Sequence, residues 1–183
     1  DTEQPYLILA VLVIMMTVAA WIALRPLDAR TPRRYSIALI AIAIGGVSTL
    51  VLVTQVVLVL DPWFRPSYVI PLAGMIFSTS MNAVSLAAER FSAESRAGVD
   101  ARQASRAALE TALIPQINTL FAVGLVALPG MMTGQILSGV EPLVAVRDQI
   151  MVRWMLFGAA GMSAACYLAL ARASEPSVGA ERG

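Results

Sequence analysis

Phe121 to Leu137 reads "FAVGLVALPGMMTGQIL". An apolar stretch runs into Pro129 and Gly130, then into Thr133, Gly134 and Gln135. Proline lacks a backbone N–H and clashes with the preceding helical turn, and glycine is the next-poorest helix former. Whether this is the end of a soluble core helix or a break at membrane depth decides the fold. No charged residue occurs from Leu113 to Val140, and an uncharged apolar run of about 18 residues or more reads as a membrane span.

Four further runs share this character. Tyr6–Leu24, Ile37–Leu60 and Tyr68–Ala88 carry no charge, and Ile150–Ala171 carries only Arg153. At about 1.5 Å per residue, roughly 20 residues cross a hydrocarbon core of about 30 Å, so each run is long enough. The chain is 58% hydrophobic and 14% charged, against about a quarter charged in a soluble domain, and its charges fall in short blocks between the runs. Sustained alternation of apolar and polar residues is missing, which argues against strands. The expected fold is an all-α polytopic membrane protein. It forms one domain over residues 1–183, with spans near 6–24, 37–60, 68–88, 113–140 and 150–171, the fourth broken at Pro129–Gly130. The acidic leader "DTEQP" is the opposite of a signal-peptide n-region, so the first run is expected to be a span. In the second, "GGVST" (Gly45–Thr49) offers small residues for close helix contact.

Arginine in the connections predicts orientation. Arg25, Arg30, Arg33 and Arg34 lie in the first connection, Arg90, Arg96, Arg102 and Arg106 in residues 89–112, and Arg172 and Arg182 in the tail. The other side has only Arg65 and Arg147. The positive-inside bias then places the N-terminus of this chain outside and its C-terminus in the cytoplasm, in a cell inner (plasma) membrane. Trp63, Phe64 and Tyr68 fall at the outer boundary, where aromatic side chains anchor.

Composition also excludes chemistry. All 13 basic residues are Arg, with no Lys and no His. There is thus no P-loop lysine, no imidazole base and no zinc site of the usual ligands. Cys166 is the only cysteine, so an internal disulfide is impossible, and a net charge of +1 argues against a nucleic-acid partner. No base–nucleophile pair suggests an enzyme. No Asp or Glu falls inside the five runs, whereas ion-coupled carriers generally place an ionisable group near the midplane. Transport would then draw its energy from a separate subunit.

Polar residues within the runs must face other helices or water. Ser78, Thr79 and Ser85 read as interhelical hydrogen-bonding groups. Asn82, Gln116 and Asn118 read as lining a pathway, because a buried amide has four bonding sites to satisfy. Thr133 and Gln135 lie just past the break. Met131 and Met132 are soft potential metal ligands, although methionine in an apolar segment usually packs. Glu141 and Asp148 read as loop carboxylates on the outer side, either assisting cargo exit or simply solvated, and Arg153 as a boundary residue that snorkels or attracts an anion. Residues 89–112 are the one long hydrophilic connection. Asp100–Ala112 reads as a short helix in which Arg106 and Glu110 are placed to pair, either as a solvated loop or as a docking helix.

"IPLAGMIFSTSMNAVSLAAER" (Ile70–Arg90), "ARQAS" (Ala101–Ser105) and "TALIPQINTLFAVGLVALPGMMTGQILSGVEPLVAVRDQIMV" (Thr111–Val152) resemble the FetB-type permeases. These are membrane subunits of ABC transporters named for iron export and related to plant aluminium-tolerance proteins. The resemblance implies a permease of about seven spans, of which this chain would carry five, beginning at the third. It implies no cofactor on this chain, with ATP bound by a separate cytoplasmic ABC ATPase, and a permease homodimer paired with two ATPases. Gly98, Asp100, Arg102, Gln103 and Arg106 would receive the ATPase. The path candidates are Asn82, Gln116, Asn118, Met131, Met132, Thr133 and Gln135, around the break at Pro129 and Gly130. The implied cargo is iron or another metal ion, with the ligand set open. Plant relatives have been connected with nucleotide sugars, so an organic anion is the alternative cargo. A non-transporting membrane scaffold is the alternative class.

Overall fold

The computed structural model describes residues 5–27, 31–57, 66–122 and 129–174. Residues 58–60 and 123–128 of two expected spans, together with Arg30, Trp63, Phe64, Arg65 and Arg182, lie outside these. The described residues form α-helices α1 (Pro5–Ala23), α2 (Pro32–Ile42), α3 (Ser48–Leu52), α4 (Pro66–Arg96), α5 (Ala101–Ala122), α6 (Gly130–Leu137) and α7 (Pro142–Ser174). Two π-helical turns, Ala43–Val47 and Val53–Val57, flank α3, so that Pro32–Val56 is one continuous rod. Among the described residues four helical rods are long and apolar enough to cross a membrane: Tyr6–Ala23, Pro32–Val56, Tyr68–Arg96 and Pro142–Ser174. The molecule is an all-helical polytopic membrane protein, as the apolar runs predict.

The boundaries differ from those runs in an instructive way. The α4 helix runs on to Arg96, past Ala88, and α7 starts at Pro142 rather than Ile150. At 1.5 Å per residue, α4 and α7 are about 46 and 50 Å long, well beyond a core of about 30 Å. Apolarity marks the part of a helix that meets lipid, whereas helix formation continues through residues of good propensity such as Ala, Glu and Arg. Accordingly the short helix expected over 100–112 is the first half of α5, continuous with the segment from Leu113. The fourth run contains two helices, the end of α5 and α6, the second starting at Gly130 where the break is expected.

The ends are capped by sequence. Thr31 caps α2, its Oγ1 accepting from Arg34 N at 3.3 Å, with Pro32 at the first helical position, where its missing N–H costs nothing. The α4 helix closes on Gly98 at φ 78°, with Gly98 N donating to Ser95 O and Val99 N to Glu94 O. Asp100 then opens α5, its Oδ2 accepting from Arg102 N at 2.9 Å, a carboxylate at the positive end of the helix dipole. A two-helix hairpin results.

The central pair is α4 and α7, with α5 against both, α1 against α4, and α2 against α7. The interior is largely alanine. Ala104, Ala108 and Ala112 line the inner face of α5, and Ala159, Ala160 and Ala164 that of α7. Lipid tails are as apolar as leucine, so helices in a membrane associate by close backbone approach. Gly45 and Gly46 serve that approach. A Cβ on Gly45 would lie 2.2 Å from Ser163 Oγ of α7, and one on Gly46 would lie 2.8 Å from the Phe77 ring of α4. Large apolar side chains instead point outward, among them Tyr6, Leu9, Ile14 and Trp21 of α1. Tyr68 is exposed at the start of α4.

Candidate translocation site

Pro129 precedes α6 with φ −65° and ψ 138°, an extended conformation that cannot continue a helix, and Gly130 begins the new one. The α6 helix has eight residues and ends on Gly139 at φ 89°, with Val140 N donating to Gln135 O and Gly139 N to Ile136 O. Pro142 then starts α7, with Glu141 O accepting from Val144 N and Ala145 N. A short helix is thereby folded back against the long α7.

The contact between them is polar. Gln135 Nε2 donates to Asp148 Oδ2 at 3.0 Å. Gln135 Oε1 and Gln149 Oε1 are both buried without a hydrogen-bond partner, and Gln149 as a residue is 3% exposed. Two unpaired carbonyl oxygens and a half-buried carboxylate thus occur on α6 and the first turns of α7. A buried acceptor left unpaired is costly, and oxygen donors of this kind suit a hard or borderline cation. Asp148 is therefore part of a helix–helix contact, not a loop carboxylate. Glu141 is exposed.

The other sequence candidates are dispersed. Met132 is buried, Met131 is exposed, and the Thr133 hydroxyl donates back to Pro129 O at 3.2 Å. Gln116 is half-buried on α5, while Asn118 and, on α4, Asn82 are exposed on this single chain. Among the described residues no hydrogen bond joins Asn82, Gln116 or Asn118 to one another or to Gln135. Ser78, expected to bond between helices, donates to Met75 O of its own helix at 3.1 Å. In the connecting hairpin, Arg102, Gln103 and Arg106 are exposed, and Arg106 Nε donates to Glu110 Oε1 at 3.1 Å.

Arg153 sits beside the break. It lines a cavity of ≈ 310 Å³ with Leu120 and Phe121 of α5 and Ile150 and Trp154 of α7, and its Nε is buried without a partner. No group of three His, Cys, Asp or Glu side chains able to hold a metal occurs among the described residues.

The model of a family described as UPF0014, an uncharacterised protein family, matches residues 1–174. The chain belongs to the UPF0014 family. It is 34% identical over 171 residues to UPF0014 membrane protein slr1647 of Synechocystis sp., covering 84% of this chain and 65% of that protein. It is 35% identical over 171 residues to UPF0014 membrane protein STAR2 of Oryza sativa, covering 85% and 59%. With the probable iron export permease protein FetB of Escherichia coli it shares 41% over 122 residues, covering 57% of this chain and 47% of that protein. The chain spans about half to two-thirds of the length of these relatives. No solved structure matches it.

Sequence reading of this UPF0014 chain passed over Gln149 and Ser163. Gln149 stands just before the last apolar run, and only a helix starting at Pro142 puts it on the inner face with Ala145 and Val152. The available signal was its i, i+4 spacing from Ala145 and Arg153. Ser163 looks like any small residue of a span, and its burial follows from the approach of Gly45.

Proposed function

We propose that this chain is the membrane-spanning part of an ABC-type metal exporter, with ferrous iron or another divalent cation as cargo. The observation that carries the reading is the break between α5 and α6, folded against α7 so that Gln135, Asp148 and Gln149 present unpaired or anionic oxygens. Broken helices at membrane depth are tolerated where they line a cavity or are buried in protein, and half-helix ends are common at transport sites. Amide and carboxylate oxygens with no His or thiolate make a weak cation site, which suits passage better than storage. Membership of a family that includes a protein named as a probable iron export permease supports the same cargo.

Hydrolysis takes place on a separate cytoplasmic ATPase, since the chain has no lysine for a P-loop. The hairpin between α4 and α5, carrying Gly98, Asp100, Arg102, Gln103 and Arg106, receives that subunit, on the Arg-rich side that positive-inside bias assigns to the cytoplasm. The N-terminus of this chain is then outside, and the membrane is the inner (plasma) membrane. Asn82, exposed on the candidate span α4, and Asn118, exposed near the apolar end of α5, favour a permease homodimer that covers them, because polar groups against lipid are costly.

The test is ATP-dependent uptake of ferrous iron into inverted vesicles carrying the full-length permease and its candidate ATPase. Gln135→Leu is expected to weaken iron affinity by roughly 10–100-fold, the scale of losing a supporting contact at a metal site, with the complex still assembled. Unchanged uptake in the variant contradicts the site. Arg153, with a buried unpartnered Nε on the cavity beside the break, favours a second reading, an organic anion such as a nucleotide sugar. Uptake of the sugar and not of iron, lost in Arg153→Gln, selects it.

A further inference from the structure

A second site lies at the opposite, Arg-rich end of the bundle. The start of α2, the C-terminal third of α4 and the end of α7 enclose a cavity of ≈ 380 Å³. Three arginines line it, Arg33 and Arg34 from the first turn of α2 and Arg96 from the last turn of α4, and no carboxylate does so among the described residues. Arg34 and Arg96 also hold partners within the protein, but a guanidinium has five donors and serves several acceptors at once. Ser92 and Ser95 add hydroxyls, and Ser95 Oγ is buried with no hydrogen-bond partner. Leu27, Ile37 and Phe91 give the cavity an apolar side, and Thr31, Tyr167 and Ser174 add further polar groups to its wall.

We infer that this cavity binds a phosphate ester at the membrane boundary, with the arginines on the phosphate oxygens and the apolar side against the ester's hydrocarbon. Guanidinium pairs phosphate in a fork that ammonium cannot reproduce. The Ser95 hydroxyl supplies a short-range donor that otherwise has nothing to bond. The cavity sits where the apolar parts of α2, α4 and α7 give way to their charged ends, which is headgroup depth. Basic pockets between spans on the positive side are suited to anionic lipid headgroups. An anionic phospholipid carries both the phosphate and the hydrocarbon, and a soluble phosphate ester carries the same recognised group. The inference concerns a site remote from the α5–α6 break and stands whether or not the transport reading does.

The experiment is native mass spectrometry of the delipidated full chain in detergent, titrated with phosphatidylglycerol, with phosphatidylcholine and with glycerol phosphate. The proteins compared are the unaltered chain, the Arg33→Gln/Arg96→Gln double variant and, as a control for lost charge elsewhere, Arg102→Gln. Expected is one retained phosphatidylglycerol per chain, bound roughly ten-fold or more weakly by the double variant, the order expected of two interfacial arginines. The control and the phosphatidylcholine titration are expected to be unmoved. Saturable binding of glycerol phosphate that competes with the lipid and is lost in the same variant assigns the site to a soluble source and keeps the phosphate chemistry. If no phosphate ester binds, or binding is equal in all three proteins, the site does not exist. Circular dichroism of the double variant separates lost binding from lost fold, and Ser95→Ala, a milder change, must weaken the same ligand.

Discussion

Gly45 meets α7 where a single added carbon would collide with Ser163, 2.2 Å from its Oγ and 2.7 Å from its backbone N. Because a backbone atom is among the near contacts, trimming Ser163 cannot make room. Gly45→Ala is therefore expected to destabilise by about 1–3 kcal/mol, as overpacking of a tight interior does, seen as a lower thermal midpoint in detergent. Ser163→Ala should leave that midpoint within about 0.5 kcal/mol of the unaltered chain or raise it, because the buried Ser163 Oγ has no partner to lose. A large loss from Ser163→Ala would mean that its hydroxyl is bonded after all. At Asp148 the expectation is different: Asp148→Ala leaves Gln135 Nε2 without its acceptor. Its effect should fall on cargo affinity, by about 10–100-fold, more than on assembly. "GGVST" announced the close approach at Gly45, because small residues have few other uses at that density. Gln149 was marked only by its i, i+4 spacing from Ala145, and its place on the inner face depends on α7 starting at Pro142, ahead of the apolar run.

At the scale of elements, the second rod is the most irregular, with a π-helical turn on each side of α3. Thr49 Oγ1 donates to Gly45 O at 2.7 Å and Thr54 Oγ1 to Leu50 O at 2.9 Å, so hydroxyls bond carbonyls in the region where the ladder widens. Adjacent glycines in a helix point about 100° apart, which lets Gly45 face α7 and Gly46 face α4 within one turn. The π turns left no mark in the apolar pattern, because hydrophobicity reports the surroundings of a helix and not its hydrogen-bond step. The break at Pro129 was legible for the opposite reason: proline changes the backbone itself. The α4–α5 hairpin turns on Gly98 in the left-handed region. Gly98→Ala is expected to cost about 1–2 kcal/mol, with Gly98→Asn costing less, and to weaken binding of the ATPase if the hairpin is its seat. Arg106→Ala, which removes only an exposed pair with Glu110, should change stability by a few tenths of a kcal/mol. An effect on ATPase association far larger than that marks a docking residue.

The whole molecule is a bundle with an alanine-lined interior, a large apolar exterior and polar features at its two ends. One end holds the α5–α6 break with Gln135, Asp148 and Gln149, and the other holds the arginine-lined cavity and the α4–α5 hairpin. In the proposed function the first end is the path and the second the coupling surface, the division of labour expected when energy arrives from a second subunit. The measurement that bears most directly on this is ATP hydrolysis by the full-length permease reconstituted in liposomes with its candidate ATPase, titrated with ferrous iron. Hydrolysis that rises with iron, and loses that response in Gln135→Leu while the complex stays intact, is the predicted result. Failure of the two proteins to associate, or hydrolysis indifferent to iron at every concentration, would contradict the account.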